Sequence, residues 1–286
     1  MIPIIESAET MLPRFLAGVG IKTASVPPVL NGAIERGVLW QAAPGRFMLD
    51  VPEVARYLVE DGSLITIEPM PQTNIDEVGR YFRMTPLAAL LFQRGVMAFH
   101  AAAAATRQGA ILLAGDSGAG KSTLLAALMK RGWTILSDDL AMVDLDEQGN
   151  PVVFPVCQDI LLWPDATEKK EIAVPPSRSP FNDTGRRVIS LTNRFTSAPQ
   201  PLRAVYWLSV HNKDEIEIKE VEGTERFGAW GTFSYNSHIA DALFDRAVYF
   251  RKAVALSGAA PLRRLRRPRG RWSVEELADR VAGEWQ

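Results

Sequence analysis

A short glycine-rich segment is the first place in this sequence where residue type and spacing imply chemistry. The segment GDSGAGKST, residues 115–123, fits the pattern G-x-x-x-x-G-K-[ST]. In such a Walker A loop, backbone N–H groups surround a phosphate, the lysine reaches the β- and γ-phosphates, and the serine hydroxyl binds Mg²⁺. The residues predicted to bind nucleotide are Gly115, Asp116, Ser117, Gly118, Ala119, Gly120, Lys121, Ser122 and Thr123.

Two adjacent acids follow the next apolar segment. Asp138 and Asp139 come directly after WTILS, residues 133–137. Phosphoryl transfer needs a metal ligand opposite the loop serine and, when the acceptor is a hydroxyl, a carboxylate that takes its proton. The acid pair is able to supply both. In the alternative, one acid caps a turn and the other is merely solvated.

A histidine interrupts the apolar segment before the loop. His100 lies within VMAFHAAAAA, residues 96–105, and the turn TRQG follows at 106–109. If this turn closes a β-hairpin centred on Arg107 and Gln108, residues equidistant from its centre face each other, and His100 lies opposite Gly115. The register then predicts an imidazole beside the phosphate loop. A hydrogen-bonded core histidine is the alternative.

The elements that must position these residues have recognisable patterns. AILLAG (110–115) is typical of a buried strand, and KSTLLAALMKRG (121–132) predicts a helix that ends at Gly132. The pattern also predicts helices over 52–62 and 85–95, strands over 46–51, 63–70, 202–210 and 215–221, and a hairpin over 144–154. A last helix begins with a capping box formed by Ser273 and Glu276. We predict a small mixed α+β region over 1–83 and a catalytic domain over 84–286.

Composition limits the class of protein. The 286 residues carry 32 basic and 33 acidic side chains, a formal charge of −1, so no global field attracts nucleic acid or an anionic membrane. The single cysteine, Cys157, excludes an intrachain disulfide, and no uninterrupted apolar run reaches the length of a membrane span. The N-terminal residues lack the pattern of a signal peptide. We expect a cytoplasmic protein with neither a nucleic acid nor a membrane as partner.

The segment FHAAAAATRQGAILLAGDSGAGKSTLLAALMKRGWTILSDDLAMV, residues 99–143, resembles the catalytic core of HPr kinase/phosphorylase and its relatives. Those relatives include the kinases encoded beside lasso-peptide biosynthesis enzymes, to which weaker likeness extends over 160–166, 201–208 and 261–270. In that family a histidine precedes a GxxGxGKS loop and an Asp-Asp pair ends the next strand, as in this sequence.

The resemblance implies an α/β fold with a P-loop core related to phosphoenolpyruvate carboxykinase. It also implies ATP- and Mg²⁺-dependent phosphorylation of a serine hydroxyl. Carried onto this sequence, the family's catalytic residues are His100, Lys121, Asp138 and Asp139. Asp138 would be the general base, and Asp139 would hold the metal with Ser122; the family pattern leaves open which acid has which role.

The acceptor favoured by the resemblance is a serine-containing peptide or small protein of the biosynthetic type. A P-loop kinase for a small-molecule hydroxyl and a nucleotide-sensing regulator without turnover are the alternatives, and a homo-oligomer is compatible with the sequence. Six arginines in PLRRLRRPRGR, residues 261–271, either bind an anion or pair with the protein's own acids. Asp165 in the segment WPD is predicted to cap a helix.

Overall fold

The computed structural model describes residues 13–157, 159–162, 187–190 and 192–285. Asp165 and residues 1–12 lie outside the described residues. The helices are α1 Pro13–Leu16, α2 Ile75–Phe82, α3 Thr85–Gln93, α4 Lys121–Lys130, α5 Gly223–Phe233, α6 Ser237–Leu243, α7 Arg246–Ala259 and α8 Val274–Gly283, with a 3₁₀ turn at Thr192–Arg194. The strands are β1 Gly20–Thr23, β2 Glu35–Arg36, β3 Trp40–Ala43, β4 Arg46–Val51, β5 Ala55–Glu60, β6 Leu64–Pro69, β7 Met97–Phe99, β8 Ala101–Thr106, β9 Gly109–Ala114, β10 Thr134–Ser137, β11 Ala141–Leu145, β12 Pro151–Phe154, β13 Asp159–Leu162, β14 Arg187–Ser190, β15 Gln200–His211, β16 Glu217–Val221 and β17 Leu262–Pro268.

Residue contacts divide the chain into two compact units. The first comprises Met1–Ala98 with Ser234–Ala253, and the second comprises Phe99–Phe233 with Val254–Gln286. This division falls later than the boundary predicted after residue 83, because α3 contacts β4 and β5 of the first unit. The predicted boundary itself stays a prediction. Both units combine helices with mixed sheets, so the mixed α/β class is confirmed.

The first unit is built on a six-stranded sheet in the order β1-β6-β5-β4-β3-β2. Its strands pair antiparallel except for β1 and β6, which are parallel. The helix predicted over 52–62 is wrong, because Ala55–Glu60 forms the central strand β5. Burial alternates along this strand, with Ala55, Tyr57 and Val59 fully buried. The period of two therefore outweighs the local helical pattern.

The second unit contains a larger mixed sheet in which β9 lies between β8 and β15. The predicted hairpin is confirmed, since β8 and β9 pair antiparallel from Ala101↔Ala114 to Thr106↔Gly109. Strand β15 continues the sheet in parallel with β9, and its later half pairs in parallel with β17. The segment 96–105 is not one continuous strand: it breaks at His100, whose N–H donates to the Phe233 carbonyl at 2.7 Å.

Helix α4 carries the apolar face that the sequence predicts. Leu124, Leu125 and Leu128 are buried in one core cluster with residues of β9 and α8. Ser273 stands at the N-cap of α8, but its hydroxyl makes no capping bond. Glu276 instead accepts from Arg271 and Arg280, each at 3.0 Å, so the predicted capping box is wrong. Two guanidinium partners outcompete the N-cap for this carboxylate.

A polar cluster closes the C-terminal end of the second unit. The buried Tyr206 hydroxyl donates to the Glu284 carboxylate, and the indole N–H of Trp285 donates to that hydroxyl at 3.1 Å. Arg263 pairs with Glu284 and also reaches Tyr206. Burial, followed by the hydrogen bond to Glu284, raises the pKa of Tyr206 to about 12.

Among the described residues, none of the helices is sufficiently long and apolar to span a bilayer.

Candidate functional site

The glycine loop leaves β9 at Ala114 and enters α4 at Lys121. Gly115, Gly118 and Gly120 have φ values of 137°, 82° and 106°, which side-chain-bearing residues rarely adopt. Gly115 also approaches β15 closely, because a Cβ at this position would lie 2.4 Å from the Leu208 carbonyl oxygen. The strand, loop and helix therefore form the connection that the glycine pattern predicts, with the first N–H groups of α4 beside the loop.

Lys121 turns back over the loop from which its helix starts. Its Nζ donates to the carbonyl oxygens of Gly115 at 2.7 Å and Asp116 at 3.2 Å. The residue is only 6% exposed, so its ammonium is held at the loop rather than extended into solvent. A bound phosphate would offer a charged acceptor in place of these neutral carbonyls, and charge-assisted hydrogen bonds are the stronger kind.

Ser122 meets the first acid of the pair. Its hydroxyl donates to Oδ1 of Asp138 at 2.9 Å, and Asp138 is buried at the end of β10. A hydroxyl and a carboxylate this close suit a shared Mg²⁺, which commonly takes one or two protein oxygens and completes its shell with phosphate and water. Within the described ranges, no group of three His, Cys, Asp or Glu residues is arranged to hold a metal.

Asp139 occupies an unusual backbone conformation. Its φ is 68°, and the N–H of Leu140 donates to the carbonyl of Asp138 at 2.9 Å, which makes Asp139 the centre of a γ-turn. Such conformations cost about 1–3 kcal/mol and concentrate at functional sites. The turn sends the two neighbouring acids to different partners. Asp138 contacts Ser122, whereas Asp139 lies on the side of His100.

His100 connects Asp139 with Lys121. Its Nδ1 lies 3.2 Å from the carbonyl oxygen of Asp139 and 3.9 Å from the carboxylate Oδ1 of the same residue. Its Nε2 lies 3.2 Å from Nζ of Lys121. Because an ammonium can only donate, Nε2 must accept, and the ring proton belongs on Nδ1, where it faces the Asp139 carbonyl. The network assigns a neutral imidazole.

The structure brings the predicted site residues His100, Lys121, Ser122, Asp138 and Asp139 together around the start of the loop. Exposed Ser117 and half-buried Thr123 lie in the loop and in the first turn of α4. The sequence-based roles of all these residues stay predictions. For the metal role, the family pattern pairs Ser122 with Asp139, whereas the geometry favours Asp138 because its carboxylate is the one in contact with Ser122.

Sequence reasoning did not single out Arg267. It treated the arginines of 261–271 as one set, but the structure separates them. Arg263, Arg264, Arg266 and Arg271 pair with Glu284, Glu225, Glu217 and Glu276. Arg267 instead donates from Nε to the Ala119 carbonyl at 3.1 Å and from Nη2 to the Gly118 carbonyl at 3.4 Å. No local pattern marks this residue, because its position depends on the parallel pairing of β15 with β17, which are distant in sequence.

Comparison with known proteins gives a distant match. No family model matches the chain, and no curated protein matches it. Among solved structures, the HPr(Ser) kinase/phosphatase from Coxiella burnetii is similar at 10% sequence identity and a TM-score of 0.37, over 66% of this chain and 95% of that chain. At such a distance, what the site is able to do follows from its own atoms.

Proposed function

We propose that this protein is a kinase that uses ATP and Mg²⁺ to phosphorylate a hydroxyl group. The observation that carries the proposal is the 2.9 Å contact between the Ser122 hydroxyl and the Asp138 carboxylate, beside a glycine loop that holds Lys121. A purely structural glycine turn would require neither a buried acid at this serine nor a lysine folded back over the loop.

The loop and Lys121 bind the nucleotide. N–H groups at the start of α4 and the peptide units between Gly115 and Gly120 surround the phosphates. Lys121 exchanges the carbonyl oxygens of Gly115 and Asp116 for phosphate oxygens, because the charged acceptor binds the ammonium more strongly. This exchange also frees the Nε2 atom of His100 from its contact with the lysine.

In this proposal, Ser122 and Asp138 would hold Mg²⁺. Mg²⁺ bound there would neutralise negative charge on the β- and γ-phosphates during transfer. This assignment gives Asp138 the metal role, and it leaves the carboxylate of Asp139 for the acceptor. Asp139 is 13% exposed at its side chain and sits beside the imidazole of His100.

Asp139 takes the proton of the acceptor hydroxyl. As the acceptor oxygen bonds to the γ-phosphorus, the bond from phosphorus to the bridging oxygen breaks, and ADP leaves with that electron pair. His100 positions the acid through its contacts with the Asp139 backbone and side chain. The γ-turn keeps this carboxylate apart from the one that contacts Ser122.

The acceptor we favour is a serine on a peptide or small protein, of the kind modified during peptide natural-product biosynthesis. The likeness of residues 99–143 to the HPr kinase/phosphorylase family and its biosynthetic relatives supports this choice. A small-molecule hydroxyl would fit the same acid, since the base does not depend on the size of the acceptor.

Intact-mass spectrometry tests the proposal. Serine-containing peptides, a phosphocarrier protein and small hydroxyl compounds are each incubated with the protein, ATP and Mg²⁺. We expect a gain of about 80 Da per phosphate on a peptide or protein acceptor. Gain only on a small molecule would replace the acceptor class. ATP binding without ADP formation in any mixture would identify a nucleotide-sensing regulator instead of a kinase.

A further inference from the structure

Arg267 differs from the other arginines of its strand in what it contacts. Its donors reach the carbonyl oxygens of Gly118, Ala119 and Pro268, all of them neutral. Within the part of the chain that the structure describes, no carboxylate lies within ion-pair distance of its guanidinium, whereas Arg266, the preceding residue, pairs with Glu217. Arg267 is therefore a cation that the described residues leave electrostatically unbalanced.

The surroundings of Arg267 favour an anion. The residue is half-buried, and burial, followed by the nearby charge of Arg269, lowers its pKa. Partial burial without a counter-charge is unfavourable for a guanidinium, and the field of an anion bound at the loop would offset part of that cost. In the proposed function, the anion that would bind at this loop is the polyphosphate of the nucleotide.

Arg267 contacts the second half of the loop from outside it. Ala119 lies between Gly118 and Gly120, both at positive φ, and glycine has little conformational preference of its own. The carbonyl and N–H of a trans peptide point in opposite directions. Because Arg267 binds the carbonyl of Ala119, the N–H of Gly120 in the same peptide unit points away from the guanidinium.

We infer that Arg267 is a positioning residue for the phosphate loop: it fixes the peptide units that follow Gly118 and Ala119, and its charge favours a bound polyphosphate. The inference rests on the proposed nucleotide site, and it adds a residue from β17 to a loop that otherwise lies between β9 and α4. The ligand class is a nucleoside triphosphate or another linear polyphosphate.

Calorimetric titration of ATP and of inorganic tripolyphosphate tests this role. Arg267→Ala is compared with the wild-type protein and with Arg266→Ala, a matched control that removes the neighbouring arginine of the same strand. We expect Arg267→Ala to bind both ligands about tenfold more weakly or worse, as for lost hydrogen bonds to a charged group, with Arg266→Ala within about twofold of wild type. Unfolding temperatures measured without ligand should be similar for Arg266→Ala and Arg267→Ala. A general loss of structure in Arg267→Ala would instead lower its unfolding temperature together with its affinity.

Arg267→Lys keeps the charge but loses the fork of directed donors, so its affinity should lie between those of wild type and Arg267→Ala. If Arg267→Ala does not fold, this variant decides alone, and unchanged affinity overturns the inference. Equal losses in Arg266→Ala and Arg267→Ala, or none in either, would also overturn it.

The proposed function fails separately from this inference. A wild-type protein that binds ATP but phosphorylates no acceptor refutes the kinase, while the effect of Arg267→Ala on affinity still supports the positioning role. A wild-type protein that transfers phosphate, with Arg267→Ala binding as wild type does, refutes only the role of Arg267. Absence of ATP and tripolyphosphate binding in the wild type would refute both.

Discussion

The Nζ atom of Lys121 lies 3.2 Å from the Nε2 atom of His100. The antiparallel register of β8 and β9 contributes to this contact, since it places the residue before β8 across from Gly115, whose carbonyl accepts from the same Nζ at 2.7 Å. All three donor positions of the ammonium are thereby in use, at His100, Gly115 and Asp116. A protonated imidazole would have no acceptor to offer the lysine, so this arrangement requires the neutral ring.

Replacing Lys121 should strongly slow the proposed phosphate transfer without unfolding the protein. We expect Lys121→Ala to slow phosphorylation by about a thousandfold, because in the proposed function the lysine is the cation that binds the transferred phosphate. Lys130→Ala is the matched control, since Lys130 is exposed at the other end of the same helix. Intact-mass time courses measure both variants, and comparable rates in the two would exclude the phosphate role of Lys121.

Substitutions of Asp138 and Asp139 should have different kinetic effects. Asp138→Asn removes the carboxylate that contacts Ser122, so the Mg²⁺ concentration for half-maximal rate should rise about tenfold or more. Asp139→Asn removes the proposed base, so kcat should fall about a hundredfold or more while the Mg²⁺ requirement is unchanged. Rates measured across a Mg²⁺ titration separate the effects. The opposite pattern would return the base role to Asp138 and the metal role to Asp139.

Two loop glycines provide a matched pair for stability. Gly115→Ala should lower the free energy of unfolding by about 3 kcal/mol or more, because the new Cβ meets the Leu208 carbonyl at 2.4 Å at a strained φ. Gly118→Ala should cost only about 1–2 kcal/mol, since nothing lies within 4 Å of its Cβ and only the positive φ opposes it. Denaturant unfolding without nucleotide compares them. Equal losses would show that β15 does not approach Gly115 so closely.

Tyr206 should make the free energy of unfolding of the second unit fall at alkaline pH. The unfolded chain releases this proton near the ordinary pKa of 10.0, whereas the folded chain retains it to about 12. Between these values the unfolded state binds fewer protons, so the free energy of unfolding falls as pH rises. The stabilising contribution of Tyr206 is therefore fully present below pH 10 and is lost as the pH rises towards 12.

Tyr206→Phe removes the ionisable group and its bonds to Glu284 and Arg263. It should lower stability by about 1–2 kcal/mol near neutral pH and reduce the fall above pH 10. Unfolding measured from pH 8 to pH 11 checks both effects. A pH dependence identical to that of wild type would mean that another group is responsible.

Local patterns predicted much of the core of the site. The hairpin over 96–114, the glycine loop and the helix after it depend on residues close together in sequence, and each forms where predicted, apart from the break at His100. The pattern of β5 fits both the helical and the strand period, and its pairing with β4 and β6 decides in favour of the strand.

The finer geometry was not readable from the sequence. Which of two adjacent acids contacts Ser122 depends on the γ-turn at Asp139, and sequence patterns do not specify the φ of a single aspartate. The contact of Arg267 with the loop likewise depends on the parallel register Val210↔Arg267, which only the folded sheet defines. Long-range pairing and single-residue backbone conformation are the two properties that local patterns leave undetermined.

At Asp139, the left-handed backbone brings thermal stability and the proposed activity into conflict. Glycine would adopt this φ without strain, so Asp139→Gly would relieve the turn and at the same time delete the proposed base. Selection for heat resistance alone would therefore favour substitutions such as Asp139→Gly that, under the proposed function, remove phosphate transfer. Screens of this protein for thermal tolerance need an activity measurement alongside them from the start.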